Sequence, residues 1–196
     1  MDLLIATTNG YKIREIRALL KPFKKFDLYS LLDFPHYVQP EETGKTFEEN
    51  ATLKALHAAL ELKKWTIADD SGLVVPALDG APGVYSARYA GPEASDKENR
   101  QQLLKSMEPL EGIARSAYFE CCIVLASEGG VKKVVRGVCE GTVIREERGS
   151  RGFGYDPLFI KHDYSQTFGE LDEQLKNQVS HRAKALQKLK LTLETI

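Results

Sequence analysis

The segment Thr7-Thr8-Asn9-Gly10-Tyr11-Lys12 lies between an apolar run, Leu3 to Ala6, and a helical pattern of Ile13, Ile16, Leu19 and Leu20. A strand that turns tightly into a helix presents backbone N–H groups and the positive end of the helix dipole, a combination that binds phosphate, and Lys12 adds a point charge. The same residues read equally as a capped helix start with a surface lysine. The glycine-rich Gly-Lys-Ser/Thr string of P-loops and the dinucleotide fingerprint are both absent.

A second group is acidic. Asp69 and Asp70 follow the β-prone stretch Trp65 to Ala68 and precede Ser71-Gly72. Neighbouring strand residues point to opposite faces, so at most one of the pair is expected to face a given cleft while the other serves a turn or a supporting role. The string is also a good turn sequence through Asx hydrogen bonding. Glu41 and Glu42 add weight to a metal role, because Mg2+ is held by one or two carboxylates together with substrate phosphates and water.

The run Gly152-Phe153-Gly154-Tyr155-Asp156-Pro157 pairs aromatics with glycines that admit a flat ligand such as a nucleobase. It reads alternatively as aromatics packed over a core edge, and Arg148 and Arg151 beside it as solvated or phosphate-directed. Finally, Lys176 and Ser180-His181-Arg182 gather cationic donors at the entrance of the last helix, where the dipole disfavours them. A ligand with oxygen acceptors would explain them, and so would a salt bridge.

These residues need elements to position them. Strand, loop and helix over Leu3 to Leu20 are followed by a second strand near Leu28 to Leu32 and a polar loop to Lys45. Thr46 and Glu49 have capping-box spacing ahead of Leu53, Leu56 and Leu60, as do Ser95 and Glu98 ahead of a mostly polar helix that is expected to be exposed on most sides. Phe119 to Leu125 and Val131 to Cys139, separated by Glu128-Gly129-Gly130, predict a long antiparallel hairpin. Val179, Ala183, Leu186, Leu189 and Leu193 form a closing helix with Ser180 as its N-cap. The expectation is an α/β fold with a mixed central sheet flanked by helices, in one domain over residues 1–196.

Composition narrows the partners. Lys and Arg number 27 against 28 Asp and Glu, so the net charge of -1 provides no global field for nucleic acid or an anionic membrane. No apolar stretch is long enough to span a bilayer and no basic leader precedes Leu3, which reads as a cytoplasmic protein. Three cysteines read as small buried hydrophobes in a reducing compartment.

Taken in order, Ala6 to Lys12, Glu42 to Ala51, Ala68 to Leu73, Gly80 to Tyr89, Gly152 to Pro157 and Ser180 to Arg182 resemble the Ham1 family of inosine triphosphate pyrophosphatases along nearly the whole chain. The resemblance implies hydrolysis of ITP, dITP or XTP to the monophosphate and pyrophosphate, with Mg2+ required. It implies that Thr7, Thr8, Asn9, Gly10, Tyr11 and Lys12 hold the triphosphate, that Glu41 or Glu42 with Asp70 organises the metal, and that Asp70 accepts the proton of the attacking water. Ser71 would lie against the substrate, while Phe153, Gly154, Tyr155, Asp156, Lys176, His181 and Arg182 would enclose the base. It further implies an elongated fold with two lobes around an active-site cleft, and a homodimer.

Two departures are visible: Tyr11 stands where many members have glycine, and Leu175 replaces a commonly acidic residue. A Maf-like pyrophosphatase is the alternative among enzymes; outside them it is a nucleotide or RNA binding module without turnover. The Phe-Gly-Tyr-Asp and Ser-His-Arg strings oppose the first, and the carboxylates and balanced charge oppose the second.

Overall fold

The computed structural model describes residues 1–196. The chain runs through β1 (Asp2–Ile5), α1 (Gly10–Leu20), β2 (Asp27–Ser30), α2 (Phe47–Leu62), β3 (Trp65–Val74) and α3 (Asp96–Ser106). It continues through β4 (Ser116–Ser127), β5 (Gly130–Val143), β6 (Phe159–Lys161), α4 (Glu173–Val179) and α5 (His181–Thr195). The strands form one sheet in the order β2-β1-β3-β4-β5-β6. It is mixed, with β1 parallel to both β2 and β3, and β6 antiparallel to β5. No helix is long and apolar enough to cross a membrane.

Two compact units divide the chain. One comprises Met1–Asp70, Cys121–Gly137 and Arg182–Ile196, the other Ser71–Glu120 and Val138–His181. Strands β3, β4 and β5 supply residues to both.

In the first unit, Leu3 of β1 stands opposite Leu28 of β2 and Trp65 of β3. Apolar residues of α1 and α5, among them Ile16, Leu20, Ala185, Leu189 and Leu193, pack with Leu3, Ile5, Ile67, Ile123 and Leu125 of the sheet. Helix α2 buries Ala51, Ala55, Ala58 and Ala59 instead, small side chains that let its backbone approach closely. Its start is capped as the spacing predicts, with Thr46 Oγ1 accepting from Glu49 N at 3.1 Å. The Glu49 carboxylate turns to Lys45 N, 2.6 Å away.

In the second unit, Phe119, Phe159 and Phe168 form an aromatic cluster with ring centroids 4.7, 5.1 and 6.0 Å apart. Beside it the buried Arg115 donates to the carbonyls of Met107, Val143 and Ile144. A buried guanidinium is tolerated here because each arm meets a backbone acceptor. Helix α3 opens with the full Ser95–Glu98 capping box.

Several sequence expectations are corrected. Strand β2 ends at Ser30, because the Asp33 carboxylate accepts from both Ser30 N (2.8 Å) and Ser30 Oγ (3.1 Å) and folds residues 31–33 into a 3-10 turn. The closing helix does not begin at Val179: a separate α4 ends there, and Ser180 is its C-cap before α5 starts at His181. Asp69 to Gly72 form no turn, since β3 runs unbroken through them.

The uninterrupted strand explains Gly72. A Cβ at this position would collide with Ser86 Oγ and the Gly83 carbonyl oxygen, and Ser86 Oγ also accepts from Leu73 N at 3.0 Å. Gly72→Ala is therefore expected to cost about 1–3 kcal/mol in urea unfolding, the usual penalty for overpacking; an unchanged midpoint would show that the 83–86 turn yields freely.

Candidate functional site

The parallel pairing sets the geometry of the first cluster. Leu4 lies opposite Thr66 and Ile5 opposite Ile67, after which β1 ends while β3 continues. Asp69 and Asp70 therefore lie just beyond the carboxyl end of β1, beside the loop that leads into α1. Open α/β sheets bind ligands at these strand ends.

Alternation along β3 sends the two carboxylates to different partners. Asp69 meets Lys12 Nζ at 3.1 Å and Arg182 Nη2 at 2.9 Å, and the other arm of Arg182 bonds Glu15 of α1. Asp69 and Arg182 are fully buried. Burial alone would raise the Asp69 pKa, but Lys12 and Arg182 together hold it far below the usual carboxylate range. The mirror effect pushes Arg182 up, since Asp69 and Glu15 outweigh its own desolvation.

Asp70 faces α2. Its Oδ2 accepts from Asn50 Nδ2 at 3.2 Å, and its Oδ1 is 3.4 Å from Lys54 Nζ. Lys54 also contacts Glu42 Oε1 at 2.7 Å. Burial raises the Asp70 pKa, opposed by Lys54 and Lys12 and assisted by the negative charge of Glu42. Lys54 shifts upward despite its own burial, because Asp70, Asp69 and Glu42 surround it. One carboxylate of the adjacent pair is thus held as a fixed anion, while its neighbour is inclined to take a proton.

The loop from Thr7 to Lys12 differs from an open cradle. Thr7 Oγ1 accepts from Asn9 N, and Asn9 Oδ1 accepts from Tyr11 N and Lys12 N at 3.0 and 3.2 Å. Asn9 thereby acts as the N-cap of α1 and occupies two of the N–H groups expected for phosphate. Thr8 and Gly10 are exposed at the loop surface. Tyr11 is also exposed, with the Arg14 guanidinium 5.7 Å from its ring centroid, so its side chain points outward.

The second unit holds the other predicted residues. Asp156 Oδ2 accepts from Lys176 Nζ at 2.6 Å and from Phe153 N at 2.9 Å. Lys176 Nζ also lies 5.1 Å from the Phe153 ring centroid. Gly152 and Gly154 adopt φ of 75° and 58°, and a Cβ on Gly152 would strike the Asp156 carboxylate. Tyr155 OH donates to the Ser86 carbonyl at 2.8 Å, and burial pushes its pKa up. The His181 ring stacks on Phe119 with centroids 4.8 Å apart.

The predicted residues thus fall into two sets. Lys12, Glu42 and Asp70 gather in the first unit; Phe153, Asp156, Lys176 and His181 belong to the second. Glu41 is exposed, while Glu42 reaches Lys54. Arg182, grouped with His181 by sequence adjacency, has both arms of its guanidinium turned to Glu15 and Asp69. The cations at the start of α5 and before it therefore have a structural partner each: Arg182 in Asp69, Lys176 in Asp156.

Sequence reasoning missed Asn50, Lys54 and Glu15. Asn50 and Lys54 carry a visible signal, being one helical turn apart on a stripe otherwise filled by buried Phe47 and alanines, where polar side chains need partners. Glu15 had no such signal.

No group of three His, Cys, Asp or Glu side chains forms a metal cage. The pair Glu42 and Asp70 nonetheless suits Mg2+, which takes few protein carboxylates and fills its shell with phosphate and water. Both carboxylates meet the same ammonium, which marks a place where positive charge is favoured.

A model of the Ham1 family matches residues 3–192. The chain is 59% identical over 190 residues to a dITP/XTP pyrophosphatase of Chlamydia abortus, covering 96% of this chain and 92% of that protein. It is 52% identical to a dITP/XTP pyrophosphatase of Protochlamydia amoebophila, with 100% and 99% covered. Among solved structures, a HAM1 protein from Coxiella burnetii superposes with a TM-score of 0.90 at 41% identity over 100% of both chains. The Staphylococcus aureus Ham1 protein gives 0.87 at 39% identity, over 100% of this chain and 99% of that one.

Asp69→Asn removes the shared anion from Lys12 and Arg182. It is expected to cost about 3–5 kcal/mol in urea unfolding, the range for breaking a buried pair. Because the folded pKa is depressed, this contribution is complete above the unfolded value and fades as pH falls toward the folded one. The loss should therefore be constant between about pH 5 and 8 and shrink below about pH 4. A loss under about 1 kcal/mol would assign the network no structural weight.

Proposed function

The chain belongs to the Ham1 family, and from that membership we propose that it hydrolyses the deaminated purine triphosphates ITP, dITP and XTP to nucleoside monophosphate and pyrophosphate, clearing them from the cytoplasmic nucleotide pool. The observation that supports this most is the division of labour at Asp69 and Asp70. A buried carboxylate oriented by Asn50, next to a lysine and a second carboxylate, has the surroundings of a general base beside a phosphate and metal site.

In this reading Lys12 and Lys54 meet the triphosphate oxygens. Glu42 and Asp70 would hold Mg2+, which when bound would neutralise charge on the phosphate oxygens. A water attacks the α-phosphorus, Asp70 receives its proton, and the bond to the bridging oxygen breaks as pyrophosphate leaves. Asn50 donates to one Asp70 oxygen and fixes the orientation of the carboxylate.

The base is met by Phe153, Asp156, Lys176 and His181. A purine with oxygen at C6 accepts from cationic donors of this set, whereas adenine presents an amino donor there. Unpaired polar groups make such discrimination large. Arg182 serves the base indirectly, as the buried anchor at the start of α5 beside His181. We further assign a homodimer as the working form.

A panel of triphosphates with Mg2+ and pyrophosphate detection tests the proposal. ITP, dITP and XTP should be turned over much faster than ATP, by on the order of a hundredfold. Equal rates on all purines would remove the specificity, and no turnover would favour a binding module. Asp70→Asn should lose about 100-fold or more in kcat while still binding ITP; a near-normal rate would take Asp70 out of the base role.

A further inference from the structure

Helix α3 looks poorly suited to a folded domain. It buries only Asn99 and Leu103 along its length, and the rest is polar. Its first turns nevertheless carry three side chains that bind backbone groups of other segments. Asn99 Oδ1 accepts from Ala90 N at 2.8 Å, and Asn99 Nδ2 donates to the Ala87 carbonyl at 3.1 Å. Asp96 Oδ2 accepts from Gly154 N at 2.7 Å. Arg100 Nη1 donates to the Gly154 carbonyl at 2.9 Å, and its Nε lies 3.0 Å from Glu147 Oε2.

Asp96 and Arg100 are one helical turn apart, so they project from the same face. Between them they hold both backbone polar groups of a single residue. That residue lies at the centre of the Gly152 to Asp156 loop: Gly154 has a φ of 58°, with nothing within 4 Å of where a Cβ would be. Glycine is therefore present for its backbone conformation, not for lack of space, and its freedom must be restrained from outside. On either side of Gly154 stand Phe153, whose ring faces Lys176, and Tyr155, tied to Ser86. Two charged side chains gripping one glycine fix the ψ and φ angles that aim Phe153. Hydrogen bonds with one ionised partner are about twice as strong as neutral ones.

We propose that Asp96 and Arg100 are positioning residues for base recognition: they clamp Gly154 so that Phe153 stands in the orientation in which it meets the purine. This rests on the assignment of Phe153 to the base. Neither residue touches substrate, so their loss acts on the binding of the base and leaves the phosphate chemistry at Asp70 intact.

The test uses Arg100→Gln, Asp96→Ala, their combination and the conservative Arg100→Lys, in the full chain. Exchange of the Gly154 amide hydrogen, followed by NMR without nucleotide, reports the clamp itself and should accelerate in Asp96→Ala and Arg100→Gln. Steady-state kinetics should show KM for ITP rising about tenfold or more, with kcat within about twofold and the preference for ITP over ATP reduced. Arg100→Lys should recover part of the KM, and the double variant should be far from additive, because both side chains act through one residue.

Faster amide exchange with unchanged KM and selectivity would overturn the proposal and leave a clamp of structural use only. Parallel collapse of kcat and thermal stability would do the same. If wild-type protein turns over no ITP, the proposed function fails first, and the amide exchange still decides whether the clamp exists.

Discussion

Everything in the first unit depends on burying one anion among three elements. Asp69 on β3 is fully buried and binds Lys12 of α1 and Arg182 of α5, with Glu15 closing the network on the far side of the guanidinium. An isolated buried charge of either sign would cost several kcal/mol, so neither Asp69 nor Arg182 is tolerable without the other. Lys12, at the mouth of the loop after β1, is held in place by the same anion. The pairing of β1 with β3 makes this possible, because it sets Asp69 beside that loop.

The strand's twofold repeat then supplies the chemistry. A residue next to a structural carboxylate on a continuous strand points to the opposite face, so Asp70 makes its direct contacts with Asn50 and Lys54 of α2 and feels Lys12 only through its charge. Its charge is only partly compensated there, and burial raises its proton affinity. A carboxylate of this kind is a poor contributor to stability and a good candidate for proton transfer, a trade common at active sites. The second unit repeats the pattern with one anion: Asp156 receives both Lys176 and the Phe153 amide, so a single carboxylate orders the loop and the cation over its aromatic ring.

Much of this was legible in the chain alone. Apolar periodicity marks β1, α1 and α5, and both stretches with capping-box spacing mark real helix starts, though only Ser95 and Glu98 close the full box. The opposite facing of Asp69 and Asp70 follows from strand geometry. Three things were hidden, each for a physical reason. Asp-Asp-Ser-Gly has the composition of a turn, but pairing within the sheet overrides local preference and keeps β3 extended. Asn9 has the dual character of a loop residue and an N-cap, and only the hydrogen bonds show that it consumes donors that seemed available for phosphate. Arg182 adjoins His181 in sequence, yet adjacent helical residues lie about 100° apart, which sends one to Phe119 and the other to Asp69. Asn50 and Lys54 show the converse, since polar residues on a buried alanine stripe announce a partner that the sequence does not name.

The central claim is that neighbouring carboxylates have been given opposite tasks, Asp69 stability and Asp70 reactivity. The direct measurement is the unfolding free energy of Asp70→Asn at neutral pH. Because the fold penalises the ionised form of Asp70, and Lys54 keeps Glu42 as a partner, the substitution should leave stability equal to or above that of the unaltered chain. A loss of about 3 kcal/mol or more, the signature of a broken buried ion pair, would contradict the division of roles.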